Sequence, residues 1–291
     1  MNKIHKRAKI ADKTATIILY ITASFFILLL VVLTGYILFQ GFRAVTPQLL
    51  GFSGDGIGIQ LFNTIYLVLI SLIISVPIGI CAGIYMAEYS RPGRITNILR
   101  SSIETLSSLP SIVVGLFAFL ILVEATHMQY NLLAGAGAVS ILSIPLITRV
   151  TEDAIRGVPD SYREGSYGIG ATKWQTIVKI LIPSALPRII TGIILAAGRG
   201  FGEAAALIYT SGMSSDIDFS NWNPASITSP LNIFRPCDTL AVHIWALKAE
   251  GIASNSQQIA DLSAAVLVIL VFLFNLGSRF LGRFITKKNS I

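Results

Sequence analysis

Two charged residues stand inside an apolar run. In AAGRGFGEAAAL, Arg199 and Glu203 are four positions apart within the segment Ile189 to Tyr209, so a continuous helix places them one turn apart on the same face. An isolated charge near the centre of a bilayer costs about 2.5 to 3.5 kcal/mol on insertion scales, so such residues face protein, water or one another. Two chemistries fit. The pair can neutralise itself, with Gly198, Gly200 and Gly202 letting helices pack closely. Alternatively, Arg199 lines a passage and offers a planar fork of donors to a tetrahedral oxyanion, with Glu203 tuning its charge and orientation. A passage for cations or sugars does not need the arginine.

A second constellation precedes it. The stretch REGSYGIGATKWQTIVKILIPSALP, Arg163 to Pro187, is too amphipathic for a passive linker. The pattern predicts a short helix after Glu164 that closes at Gly170, a residue suited to a left-handed turn. A second helix is expected from about Lys173 to Leu181, with Trp174, Ile177, Val178 and Leu181 on one face, ending at Pro183. Gly165 and Gly168 weaken the first helix, as expected of a segment held by a partner. Its alternative is an interfacial hairpin with a solvated polar side.

Other candidates are weaker. Ser107, Ser108 and Ser111, around Pro110, can offer hydroxyls to a passing anion or cap the helix they open. His243 and Asp238 lie between Arg235 and Trp245, where a lone histidine beside tryptophan reads as an interfacial anchor; no nucleophile accompanies it in a catalytic arrangement. Asn221, Trp222, Asn223 and Pro224, with Asp216 and Asp218, have the composition of turns and mark an outer loop that an extracytoplasmic partner can meet. Glu152 and Asp153, next to Arg149 and Arg156, read as a solvated helix end. Cys81 and Cys237 suggest neither a disulfide framework nor a metal site.

The elements that position these groups are membrane spans. Of 291 residues, 53% are hydrophobic and 13% charged, with a mean hydropathy of +0.72, too apolar for a domain with a wetted surface. Apolar runs lie at Thr16 to Phe39, Leu61 to Ala87, Leu109 to Val123, Asn131 to Val150, Ile189 to Tyr209 and Leu262 to Leu281, predicting an all-α polytopic protein with six transmembrane helices. The first is too long for a signal peptide and is read as a retained anchor. Pro77 and Gly79 in the second are tolerated in a packed bundle. The third and fourth form an antiparallel hairpin across Glu124 to Gln129.

Eighteen of the 22 lysines and arginines fall in the N-terminal tail, from Arg91 to Arg100, from Arg149 to Arg188, and from Arg279 onward. Both termini are therefore expected to be cytoplasmic. The predicted organisation is a tail over 1–15, an anchor over 16–40, a core of five spans over 60–282 containing a cytoplasmic loop at 151–188, and a tail over 283–291. A net charge of +7 distributed between apolar runs does not form a nucleic-acid face, so no nucleic-acid partner is expected.

The spacing of Glu164, Gly170, Ile180, Ile182 and Pro183 resembles the EAA loop of ABC importer permeases, Glu-Ala-Ala, three residues, Gly, nine residues, Ile-x-Leu-Pro. Gly165 and Ser166 replace the alanines and Ile182 the leucine. Further stretches, MAEYSRPG (Met86 to Gly93), ETLSSLPSIVVGLF (Glu104 to Phe117), RVTEDAIRGVP (Arg149 to Pro159), GRGFGEAAAL (Gly198 to Leu207) and SPLNIFRPCDTLAVHIW (Ser229 to Trp245), resemble the PstA-type permeases of phosphate-specific ABC transporters. Many relatives carry Gly-Glu-Thr-Ala-Pro where this chain has Gly202 to Ala206.

The resemblance implies a type I ABC importer permease fold in a bacterial plasma membrane, transporting inorganic phosphate. It implies pairing with a PstC-type sister permease, a PstB-type ATPase dimer and a PstS-type extracytoplasmic phosphate-binding protein. Arg199 and Glu203 then belong to the substrate pathway, and Glu164, Gly170, Trp174 and Pro183 to the coupling helix that docks on the ATPase. This chain lacks the phosphate-binding pattern GxxxxGK[ST], so ATP and Mg are expected on the partner, with no cofactor or metal on this chain and no enzymatic activity of its own. The alternatives are a permease for molybdate or sulfate, a membrane enzyme acting on phospholipids or phosphoryl groups, and a structural or sensory scaffold. Such an enzyme needs a nucleophile, metal ligands or facing carboxylates, whereas the two intramembrane charges are opposite in sign.

Overall fold

A computed structural model describes residues 3–52, 56–91, 93–250 and 255–289, within which every regular element is a helix. The glycine-rich loop Gly51 to Gly58 is therefore described only in part, and the side chains of Lys3, Lys6, Arg7, Arg283, Lys287 and Lys288 lie outside the description.

Five helices are long and apolar enough to cross a membrane, six spans when one bent pair is counted as a single broken span. They are α1 (Lys3–Ala44), α2 (Gly58–Ile84), α5 (Leu132–Arg156), the stretch Lys173–Phe201, and α11 (Ser256–Asn289). The bent pair is α3 (Arg94–Ser108) with α4 (Ser111–Phe119), which meet at 99°. Proline explains that break, because Pro110 lacks an N–H and its ring pushes Leu109 out of the helical region, to ψ 138°. π turns extend α2 over Tyr85–Tyr89 and α4 over Leu120–Glu124.

Helix α5 is the central post. It packs on α2 and on the fifth span, and most of its residues are buried. Its start is fixed by Asn131, whose side-chain oxygen accepts the Ala134 N–H at 2.8 Å. The contact with α2 is close because Gly83 lies on Thr151: a β-carbon at Gly83 would sit 2.5 Å from the Thr151 β-carbon. A stripe of small residues thus replaces bulky side chains, as expected where lipid supplies no hydrophobic drive between helices. Helix α1 is exposed along its apolar length and touches the bundle near its end, where Gly41 meets Ala265 of α11.

The segment between α5 and the fifth span is ordered. Helix α6 (Asp160–Gly168) leads through a tight turn into α7 (Lys173–Thr176), a π turn (Ile177–Leu181) and α8 (Ile182–Phe201). The helix expected to stop at Pro183 instead runs on into the span. The wider π turn lies directly before Pro183, where the missing N–H would otherwise interrupt a regular ladder. At the opposite end, α8 stops at Gly202, a short α9 (Ala205–Thr210) follows, and an irregular segment leads to α10 (Leu240–Glu250), an apolar helix too short to span.

Candidate translocation and coupling sites

The fifth span is broken between its two charges. Arg199 lies in the last turn of α8 and is exposed, whereas Glu203 lies beyond the Gly202 cap and is buried. Among the described residues the two form no ion pair. The Glu203 carboxylate instead accepts the Ala206 N–H at 3.1 Å, satisfying an amide at the start of α9. The expectation of one continuous face is corrected: three glycines in five positions supply little helical preference, and the chain leaves the helix at Gly202. The arrangement leaves the Arg199 guanidinium exposed and unpaired with Glu203, and puts the acid in a backbone contact.

The serines of the bent span do not cap it. Ser107 and Ser108 are exposed at the end of α3, with the Ser108 hydroxyl donating to the Thr105 carbonyl at 2.8 Å, and α4 begins at Ser111 with no side-chain cap. The cap geometry is taken by Pro110, which has no hydroxyl to contribute.

The coupling-loop residues form a knob. Gly170 has φ +82° and closes α6 with two reverse bonds, from the Gly170 N–H to the Tyr167 carbonyl at 2.9 Å and from the Ala171 N–H to the Ser166 carbonyl at 3.1 Å. Thr172 and Gln175 then form a reciprocal capping box that starts α7. Inside, the Ser166 and Thr176 hydroxyls bond at 2.8 Å. The expected single apolar face is divided: Ile177 and Leu181 are fully buried, while Trp174 is 62% exposed and Val178 points outward with it. Ile169, at the turn, is 87% exposed, and Glu164 and Pro183 are exposed as well. A β-carbon at Gly165 or Gly168 would meet nothing within 4 Å, so that side of α6 is open to close approach.

Three groups were legible only in part. Glu152 is not solvated; its side chain is 10% exposed and takes Arg100 at 2.6 Å and Arg156 at 3.1 Å. These residues line a cavity of about 180 Å³ between α3 and α5, together with Glu104 and Arg149, which pair at 2.9 Å. Glu88, singled out only as part of MAEYSRPG, is buried against Arg163; an acid closing a span, with basic residues in the next loop on that side, was the available signal.

At the opposite end, Arg235 is 1% exposed and donates to the side-chain oxygen of Asn63 at 2.7 Å and to the carbonyls of Ser229, Pro230 and Pro236. His243 is not a free anchor: its Nδ1 lies 2.9 Å from the Asp238 carboxylate, which also accepts from Gln60. Burial raises the Asp238 carboxyl above its ordinary range, with the His243 hydrogen bond opposing the shift. Burial likewise lowers Arg235 and pushes the Cys237 thiol up to about 12. Asp218, Asn221 and Asn223 each cap an amide two residues on, as turn chemistry requires, and Trp222 is exposed among them.

Comparison with known proteins agrees with this layout. The family described as binding-protein-dependent transport system inner membrane component matches residues 79–290. The chain is 46% identical over 287 residues to the probable ABC transporter permease protein YqgI of Bacillus subtilis (strain 168), covering 96% of this chain and 98% of that one. It is 34% identical over 227 residues to the phosphate transport system permease protein PstA of Yersinia pestis, covering 78% and 72%. A solved bacterial ABC transporter involved in the import of the acidic polysaccharide alginate superposes with a TM-score of 0.65 at 16% identity, over 96% of this chain and 99% of that one, and shows the shared fold. Both the match across most of the sequence and the helix arrangement therefore lead to one conclusion: the chain belongs to the binding-protein-dependent transport system inner membrane component family, as a permease subunit of an ABC importer with the type I fold.

Proposed function

We propose that this permease imports inorganic phosphate, holding the anion transiently at Arg199 as it crosses. The observation that carries the reading is an exposed guanidinium, unpaired with Glu203, at the break of a membrane span. A forked donor set suits a tetrahedral oxyanion. The PstA relatives, at about one-third identity over most of the chain, favour phosphate over other oxyanions.

In this reading both termini and the 151–188 loop face the cytoplasm, in keeping with the excess of lysine and arginine there. The knob of Ile169, Trp174 and Val178, with Glu164, Gly170 and Pro183 around it, docks on a PstB-type ATPase dimer, which holds the ATP and Mg. A PstC-type permease completes the pathway, and a PstS-type binding protein delivers phosphate from outside. The apolar exposure of the knob supports a partner there, since Trp and Ile gain by burial. This chain then performs no covalent step.

Co-purification from membranes with identification of the associated subunits, followed by labelled-phosphate uptake into vesicles, tests the proposal. ATP-dependent uptake competed by unlabelled phosphate is expected. Uptake that molybdate or sulfate stimulates and phosphate does not would reassign the substrate, and phosphoryl chemistry by the isolated chain would overturn the transport reading.

A further inference from the structure

The loop end of α2 is gripped by α6 and α7 of the coupling segment and by the last turn of α5. Arg163 of α6 donates through Nε and Nη2 to one carboxylate oxygen of Glu88, at 3.1 and 2.9 Å, and holds the Ile155 and Val158 carbonyls at 2.9 Å each. Asp160 adds an outer contact at 3.1 Å. Lys173 of α7 donates to the Glu88 carbonyl, with its ammonium 4.7 Å from the centre of the Tyr89 ring. Arg156, in the last turn of α5, donates to the Met86 carbonyl at 3.0 Å. The last carbonyls of α2 have no partners within their own helix, and three cations from three different elements meet them or the side chain beside them.

We infer that Glu88 is a positioning residue of the transport cycle, forming with Arg163 a strut that carries movement of the ATPase-docking loop directly onto α2. The inference rests on the docking reading above. The loop is already continuous with α8, and so with Arg199, through the backbone. Without the strut, α2 would follow only through packing and through the contacts of Lys173 and Arg156 to its last carbonyls, neither of which holds the loop by an ion pair. The side chains of Arg163 and Glu88 are 16% and 7% exposed, so the pair is held away from water, where severing one partner is far more disruptive than at a surface. The forked arginine makes the contact stiff, since two of its nitrogens address one oxygen while a third and the second also hold backbone carbonyls. Contiguous hydrogen bonds and packed side chains of this kind are the physical means by which displacement at one site reaches another. From α2 the displacement passes to α5 at the close contact of Gly83 with Thr151.

The test uses the assembled complex in vesicles and reads phosphate imported per ATP hydrolysed. The wild-type complex must first show ATP-dependent uptake and retain its ATPase; failure there counts against the docking reading, not the strut. With that in hand, Glu88→Ala is expected to keep ATP hydrolysis and ATPase co-purification while lowering phosphate per ATP by about tenfold or more. Glu88→Asp should recover part of the ratio, because the charge is kept and only the reach is shortened. If Glu88→Ala does not fold, the isosteric Glu88→Gln reads the charge alone, and Arg163→Lys reads the fork; each should lower the ratio. A purely structural role predicts less complex with an unchanged ratio in what survives, and that result in Glu88→Gln and Arg163→Lys would overturn the strut.

Discussion

Arg199 and Glu203 lie on opposite sides of a helix break: the arginine is exposed in the last turn of α8, while the glutamate is buried beyond Gly202, bonded to the Ala206 amide at 3.1 Å. Their separation assigns them different work, and substitution distinguishes the two. Arg199→Ala should abolish phosphate uptake while leaving the melting temperature and subunit assembly unchanged. Arg199→Lys keeps a charge without the planar fork and should restore uptake only in part. Normal uptake by Arg199→Ala would remove the residue from the pathway.

Glu203→Ala should instead lower stability by about 1 kcal/mol, the usual cost of deleting a side chain that satisfies a helix-start amide. Glu203→Gln keeps an acceptor for Ala206 and should recover most of that loss. Thermal melts of the purified chain in detergent measure both, and a melting temperature unchanged in Glu203→Ala would deny the cap its role.

The knob proposed to dock on the ATPase can be damaged through its backbone or its surface. Gly170→Ala places a side chain at φ +82°, where nothing crowds the new methyl but the left-handed conformation itself costs about 1 kcal/mol. Trp174→Ala removes an exposed ring without disturbing the buried Ile177 and Leu181. Both should weaken ATPase co-purification several-fold, with the tryptophan variant doing so at undiminished stability. Unchanged recovery of the ATPase would sever the knob from coupling.

Hydropathy alone placed the six spans, because 20 apolar residues have few other destinations than lipid. What it could not show were the interruptions inside them. The break at Pro110 is written in a residue that cannot continue a helix, and the Gly202 break is suggested by its three glycines. A spacing of four between Arg199 and Glu203 nevertheless presupposes an unbroken helix, and the local bond from the Ala206 amide to the Glu203 carboxylate forms beyond the break instead. The EAA spacing located Gly170 and the helix that carries Trp174, but the burial of Ile177 depends on Ala154, Ile155 and Val158 at the end of α5, which one-dimensional periodicity does not contain. The Glu88–Arg163 pair joins residues 75 positions apart, a relationship set by the packing of α2 on α5.

Asp238 makes the far end of the bundle sensitive to pH. Its carboxyl is raised by burial, so the native state keeps a proton at pH values where the unfolded chain, with an ordinary value of about 3.9, has lost it. That contribution is fully present below the unfolded value and disappears as pH rises through the raised native one. Melting temperature should therefore fall as pH rises through this interval, and Asp238→Asn should flatten the slope. An equally steep slope in the variant would place the titration on another group.

Arg235 should be the most costly residue of the segment before α10 to replace. It is buried and holds four oxygens, on Asn63, Ser229, Pro230 and Pro236, the first of them on α2 and the rest in the irregular segment before α10. Removing the guanidinium strands those acceptors without water, each at about 1 to 3 kcal/mol before relaxation. Arg235→Ala should thus lose at least about 3 kcal/mol, a loss comparable with breaking a buried ion pair. Lysine retains the charge, but its single nitrogen cannot reach oxygens spread along a planar fork, so Arg235→Lys should recover less than half of the loss. Burial lowers the arginine's proton affinity without the guanidinium ceasing to be charged at neutral pH, so the cost should be independent of pH in that range. Equilibrium unfolding of the two variants in detergent, beside Asn63→Ala, measures the network; a loss in Arg235→Ala no larger than that of Asn63→Ala would reduce Arg235 to a one-bond contact.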